Sequence, residues 1–219
     1  MTPADRAADP AGAVTDLAPA RRRVLRTRRA ILDAAADLYE QRGPRAVTIS
    51  DICASADVAE RTFFNHFATR DELDGALAQE RARAVADLVD GVTASNQPLA
   101  RRLELLFAGV AAGLGDRPAA KELFADLSHT RHDRSNETAR NRLIGASAVR
   151  FVEDGVRRGE VTVDVAAPVL ADLLVGALVT AAANWSVDDN YDLAAELAGA
   201  AAALTLLFTI EPRPVRKRS

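Results

Sequence analysis

Between Gly43 and Leu73 the chain sets its helix start and stop signals so close together that only very short helices fit. Gly43-Pro44 closes a preceding pattern in which Ile31, Leu32, Ala35, Leu38 and Tyr39 recur at helical spacing. Gly accepts a left-handed cap, and Pro cannot continue a helix. Thr48-Ile49-Ser50-Asp51 has the form of a capping box, with Asp51 as a shorter stand-in for Glu. Ile49, Ile52 and Cys53 then turn inward, and Ala56-Asp57-Val58 is a break at which Asp57 tolerates the left-handed backbone of a tight turn. A further helix is predicted from about 59 to 66. Thr69-Arg70-Asp71-Glu72 reads as a second, fuller capping box opening a helix over 70–90 along Leu73, Leu77, Ala84 and Leu88.

Ala and Leu dominate the remainder, and β-branched residues rarely alternate with polar ones, so helices near 99–114, 118–129, 137–158, 165–185 and 191–210 are expected and no strand. The fold class is therefore all-α: an N-terminal three-helix module over 21–68 and a helical regulatory and dimerisation domain over 69–210. Residues 1–20, rich in Ala, Pro and Asp, read as a disordered arm, and 211–219 as a Pro-interrupted basic tail. Cys53 is the single cysteine and no basic-then-apolar signal segment opens the chain, which points to the cytoplasm. The most apolar stretch, 168–185, contains Asp172 and ends in Asn184, so it reads as a buried helix and not as a membrane span.

The net charge of −3 hides a partition. Residues 21–67 hold nine Arg against six acids, whereas residues 68–219 hold eighteen basic residues against twenty-two acids. Six of those Arg lie at 21–29, at the entrance of the first helix, where phosphate contact is the favoured reading. A short helix, a three-residue turn and a second short helix beside a basic helix is the geometry that lays one helix in a major groove while its partner crosses the backbone.

The string Thr48-Ile49-Ser50-Asp51-Ile52-Cys53-Ala54-Ser55-Ala56-Asp57-Val58-Ala59-Glu60-Arg61-Thr62-Phe63-Phe64-Asn65-His66-Phe67, with Thr69-Arg70-Asp71-Glu72-Leu73 after it, closely resembles the TetR family. The match extends upstream over Ile31-Leu32-Asp33-Ala34-Ala35, Leu38-Tyr39 and Gly43, roughly the first third of the chain. The resemblance implies a dimeric, ligand-responsive DNA-binding regulator, in all expectation a repressor, without catalytic activity. It implies that Thr48 and Arg70 hold phosphates at helix N-termini and that Arg61, Thr62 and Asn65 read bases, Arg gripping guanine and Asn adenine. Arg28, Ala59, Glu60, Phe64 and His66 complete the expected DNA-facing set. Four departures stand out: Asp57 replaces the usual turn Gly, Ala59 the usual Ser cap, and Phe64 and His66 the two usual Tyr. Glu60 has the wrong sign for DNA unless it accepts from a cytosine amino group.

Phe63 and Phe67, four apart, are read as core, and Cys53 as an inert buried residue. His129 and His132 offer no third ligand at informative spacing, so no metal and no cofactor is expected. The last two helices are apolar over more than one stripe, which predicts a two-fold dimer sealed by a four-helix bundle, and no membrane association. Phe107, Phe124, His129, Asn141, Phe151, Asn184, Trp185 and Tyr191 are the candidate pocket residues for an unknown, largely apolar small-molecule effector. The alternative is a helical small-molecule carrier or enzyme whose N-terminal module is vestigial.

Overall fold

The computed structural model describes residues 19–115, 121 and 134–210; the helix expected near 118–129, the histidines His129 and His132, most of the N-terminal arm and the basic tail fall outside these. Eight helices and no strand are present among the described residues: α1 (Pro19–Arg42), α2 (Ile49–Ser55), α3 (Glu60–His66), α4 (Arg70–Ala94), α5 (Leu99–Gly115), α6 (Arg134–Arg157), α7 (Ala167–Val187) and α8 (Leu193–Phe208). A 3-10 turn, Pro44–Ala46, links α1 to α2.

α1 starts at Pro19, two residues inside the segment read as an arm, because Pro is compatible with a first helical turn. It ends where Gly43 takes φ 77° and donates its N–H to the Tyr39 carbonyl at 3.0 Å. Residues Ile31, Leu32, Ala35, Leu38 and Tyr39 face a small core shared with Val47, Ile52, Cys53, Phe63, Phe67, Leu73 and Leu77. Cys53 is buried there, and burial pushes its thiol above the usual range, as the inert reading requires.

A second core lies between α4, α5, α6, α7 and α8 and holds Val89, Leu103, Leu106, Phe107, Phe151, Leu174, Trp185, Leu197 and Phe208. The break after α6 is a Schellman cap: Gly159 takes φ 71°, the Glu160 N–H reaches the Gly155 carbonyl at 2.9 Å, and the Gly159 N–H reaches that of Val156 at 3.0 Å. Thr162 then donates to the Phe208 carbonyl at 2.9 Å, tying the loop to the end of α8.

Two expectations need correction. α7 is the one described helix long and apolar enough to cross a membrane, yet it is not buried on all sides. Its inner stripe of Leu170, Leu174, Leu178 and Ala181 enters the core, while Val169, Leu173, Val179 and Val187 are exposed. The cap of α4 is also not reciprocal: Thr69 Oγ1 accepts from the Glu72 N–H at 3.1 Å, but the Glu72 carboxylate accepts from Ala68, one residue further back, at 2.8 Å.

Candidate nucleic-acid interface

α2 is opened by a complete capping box. Thr48 Oγ1 accepts from the Asp51 N–H at 3.1 Å, and Asp51 Oδ2 accepts from the Thr48 N–H at 2.9 Å and from its hydroxyl at 2.6 Å. Those bonds from Thr48 hold the Asp51 carboxyl below the usual range. The other end of α2 is a second Schellman cap, in which the Val58 N–H reaches the Cys53 carbonyl at 3.0 Å and the Asp57 N–H that of Ala54 at 3.4 Å. Asp57 supplies the left-handed residue at φ 53°, the conformation Gly would adopt without strain.

The turn delivers α3 with no side-chain cap at Ala59, so the Thr62 and Phe63 N–H groups share the Ala59 carbonyl at 2.8 and 3.1 Å. Phe63 and Phe67 are fully buried and in tilted contact, 5.8 Å between centroids. That anchoring turns the opposite face outward: Glu60, Arg61, Phe64 and Asn65 are exposed, and Thr62 and His66 are half-buried. Arg61 and Asn65, four apart, therefore project together from the face opposite the core. Phe64, 48% exposed, meets Phe63 edge-on at 5.4 Å.

Two arginines expected at phosphates are committed inside the protein. Arg70 donates to the carbonyls of Val47 and Pro44, lies 5.0 Å above the Tyr39 ring and sits 3.5 Å from Asp74. Its guanidinium ties the 3-10 turn to α1 and α4. Tyr39 donates its hydroxyl to Asp74 at 2.6 Å, and burial with that carboxylate lifts the phenol well above its usual range. Arg28 donates to the His66 carbonyl at 2.9 Å with its guanidinium 4.1 Å from the Phe67 ring centroid, capping the negative end of α3. Arg29 pairs with Asp33 at 2.8 Å and Glu80 at 3.0 Å. The sequence reading missed both clamps because their partners are carbonyls far away in the chain.

The pocket candidates among the described residues do not all meet in one place. Phe107 and Phe151 are fully buried core residues, Asn184 is exposed, and Phe124, His129 and the Asn141 side chain lie outside the described residues. Trp185 and Tyr191 share a groove of about 1110 Å³ between α5 and α8 lined also by Leu105, Ala108, Ala198 and Leu206. Lys121 lies 5.5 Å from the Trp185 ring and pairs with Asp189 at 2.9 Å. No group of three His, Cys, Asp or Glu arranged to hold a metal occurs among the described residues.

Residues 31–77 match the family of bacterial regulatory proteins, tetR family. The HTH-type transcriptional repressor Rv3405c of Mycobacterium tuberculosis is 50% identical over 48 residues, 22% of this chain, and the match spans 26% of that relative's length. Among solved structures, a TetR-family transcriptional regulator from Pectobacterium atrosepticum superposes with a TM-score of 0.71 at 21% identity, covering 88% of this chain and 99% of that one. Thermus thermophilus FadR, a TetR-family transcriptional repressor in complex with lauroyl-CoA, gives 0.66 at 20% identity over 88% and 100%.

Proposed function

We propose that this chain, which carries the TetR-family DNA-binding domain on that family's fold, is a cytoplasmic transcriptional repressor. Two copies read a palindromic operator with α3, and a small, largely apolar ligand releases them. The observation that carries this reading is the outward face of α3, where Arg61 and Asn65 stand exposed opposite the buried Phe63 and Phe67. Arg and Asn are the side chains that make bidentate contacts to guanine and adenine, and such pairs discriminate by about 1–3 kcal/mol.

Pairing of two copies is supported by the apolar surface left open on the last two helices: Val169, Leu173, Val179 and Val187 on α7, with Leu206 on α8 and Ile210 just after it. A two-fold contact there would set two readers about 34–36 Å apart, one helical turn of DNA. The apolar ligand is supported by the Trp185 and Tyr191 groove and by the lauroyl-CoA held by the FadR relative.

The test is a mobility-shift titration against the duplex upstream of its own gene. Arg61→Ala and Asn65→Ala, each lost from both half-sites, should each weaken binding by at least roughly 30-fold, the equivalent of about 2 kcal/mol at about 1 kcal/mol per pair, and relax preference at one base position of each half-site. Sequence-indifferent binding that neither substitution changes would remove the reading. A carrier with a vestigial reader would instead bind apolar ligands and retard no duplex.

A further inference from the structure

α1 is longer than its domain needs. Its core stripe begins at Ile31 and Arg28 is already tied to α3, yet the helix starts at Pro19, so about two and a half turns run beyond Arg28. Arg21, Val24, Leu25 and Arg28 continue the stripe of Ile31, Leu32 and Ala35 at helical spacing. Neither Val24 nor Leu25 belongs to a core among the described residues, and both are about half exposed. Arg21, Arg23 and Arg26 are exposed as well, and no acidic residue lies between Asp16 and Asp33.

We infer that these first turns of α1 form a second DNA-contacting element, a basic ledge that lies against the duplex backbone beyond the reach of the helix-turn-helix. The inference rests on the regulator reading and extends it. Arg28 fixes where the ledge stands, since it bonds the last carbonyl of α3 and covers Phe67. Because α1 is continuous, whatever positions α3 in a groove also positions Arg21, seven residues or about 10 Å further along the helix. Ten ångströms of duplex presents about six phosphate charges. Arg29 is already balanced by Asp33 and Glu80, so the outward field of the ledge rests on the exposed Arg21, Arg23 and Arg26.

A protein partner fits this surface poorly. Two half-exposed apolar side chains ringed by arginine are far below the roughly 800 Å² per partner of a stable protein interface. A polyanion needs only the charges. Contacts of this kind position without reading sequence, so the ledge raises affinity and salt dependence and leaves base preference to α3.

The experiment measures the salt dependence of binding for the full chain on a mixed-sequence duplex, and base preference on the duplex upstream of its gene. The triple variant Arg21→Gln, Arg23→Gln, Arg26→Gln should flatten the slope of log K against log salt by about 1.8 for one contacting arginine per protomer, and by up to about 5.4 for three. Base preference and melting temperature should stay as in the wild type. A slope change under about 0.9, with Arg61→Ala still relaxing preference at its base position, overturns the ledge and leaves the regulator standing. A wild-type chain that binds no duplex sinks the regulator reading itself. Val24→Ala with Leu25→Ala should leave the slope unchanged; if that pair disrupts an assembly in sedimentation, the ledge is a protein contact and the inference fails.

Discussion

Arg102 is fully buried one turn into α5, with its guanidinium 5.0 Å from the Phe151 ring. It donates to Asp154 at 2.8 Å and to Glu160, while its Nε has no partner. Asp154 is itself shared, because Arg157 at 2.8 Å and Arg158 at 2.7 Å approach the same carboxylate. Arg102→Met keeps most of the side-chain volume and removes the charge. Breaking a buried pair costs about 3–5 kcal/mol because it strands the other charge. Here the low end applies, since Asp154 keeps two arginines and Glu160, 26% exposed, can turn to water. For a chain of this length about 3 kcal/mol lowers the melting temperature by roughly 6–12 °C. Calorimetry at one fixed protein concentration reads this directly, because association also moves the midpoint. A variant melting within about 3 °C of the wild type would mean that the cluster adds no net stability.

Gly155 packs against Val161 so closely that a Cβ would stand 2.7 Å from its Cγ2. Gly155→Ala should cost about 1–3 kcal/mol, and Val161→Ala should restore part of it in the double variant; simple additivity in urea titrations would contradict the contact. Asp57 holds φ 53°, so Asp57→Val should cost about 1–2 kcal/mol while Asp57→Gly is tolerated, and equal midpoints for the two would refute strain at the turn. Burial lifts the Asp74 carboxyl above its ordinary range against the opposing pull of Tyr39 and Arg70. Its folded form then holds a proton more readily than the unfolded chain, so its contribution is full below about pH 3.9 and is lost as pH rises through the folded value. Asp74→Asn should therefore gain on the wild type as pH rises above about 4, and the reverse trend would show that pairing with Arg70 dominates burial.

The local signals were legible because they are local. Thr48 and Asp51, Asp57, Gly43 and the Phe63–Phe67 pair all act within a turn or two of chain, and each does in the fold what its type and spacing imply. The arginines were not legible, because an arginine has no periodicity of its own and its role is set by whichever carbonyl or carboxylate the fold brings near. Arg28 and Arg70 meet carbonyls 38, 23 and 26 residues away. Arg102 left a signal that passed unread: it lies on the stripe of Leu99, Leu103, Leu106 and Phe107, whereas its neighbour Arg101 is exposed and pairs with Glu104. A charge on an apolar stripe implies a buried partner. The pocket was the least legible, since aromatic residues serve core and cavity alike and only a fold separates Phe107 from Trp185.

The two cores meet on one helix. Leu73 and Leu77 of α4 belong to the DNA-binding core, and Val89 and Val92 of the same helix belong to the body. Between them the buried residues are Ala78, Ala82 and Ala86, whose short side chains interlock little with a neighbouring helix. Both ends of α4 are held by polar clamps, Arg70 and the Tyr39–Asp74 bond at one, and Arg158 donating to the carbonyls of Ser95 and Thr93 at the other. Fixed ends and a smooth middle make α4 the element that sets the attitude of α3 relative to the body. A single helix about 37 Å long therefore joins the core that holds α3 to the core of the body.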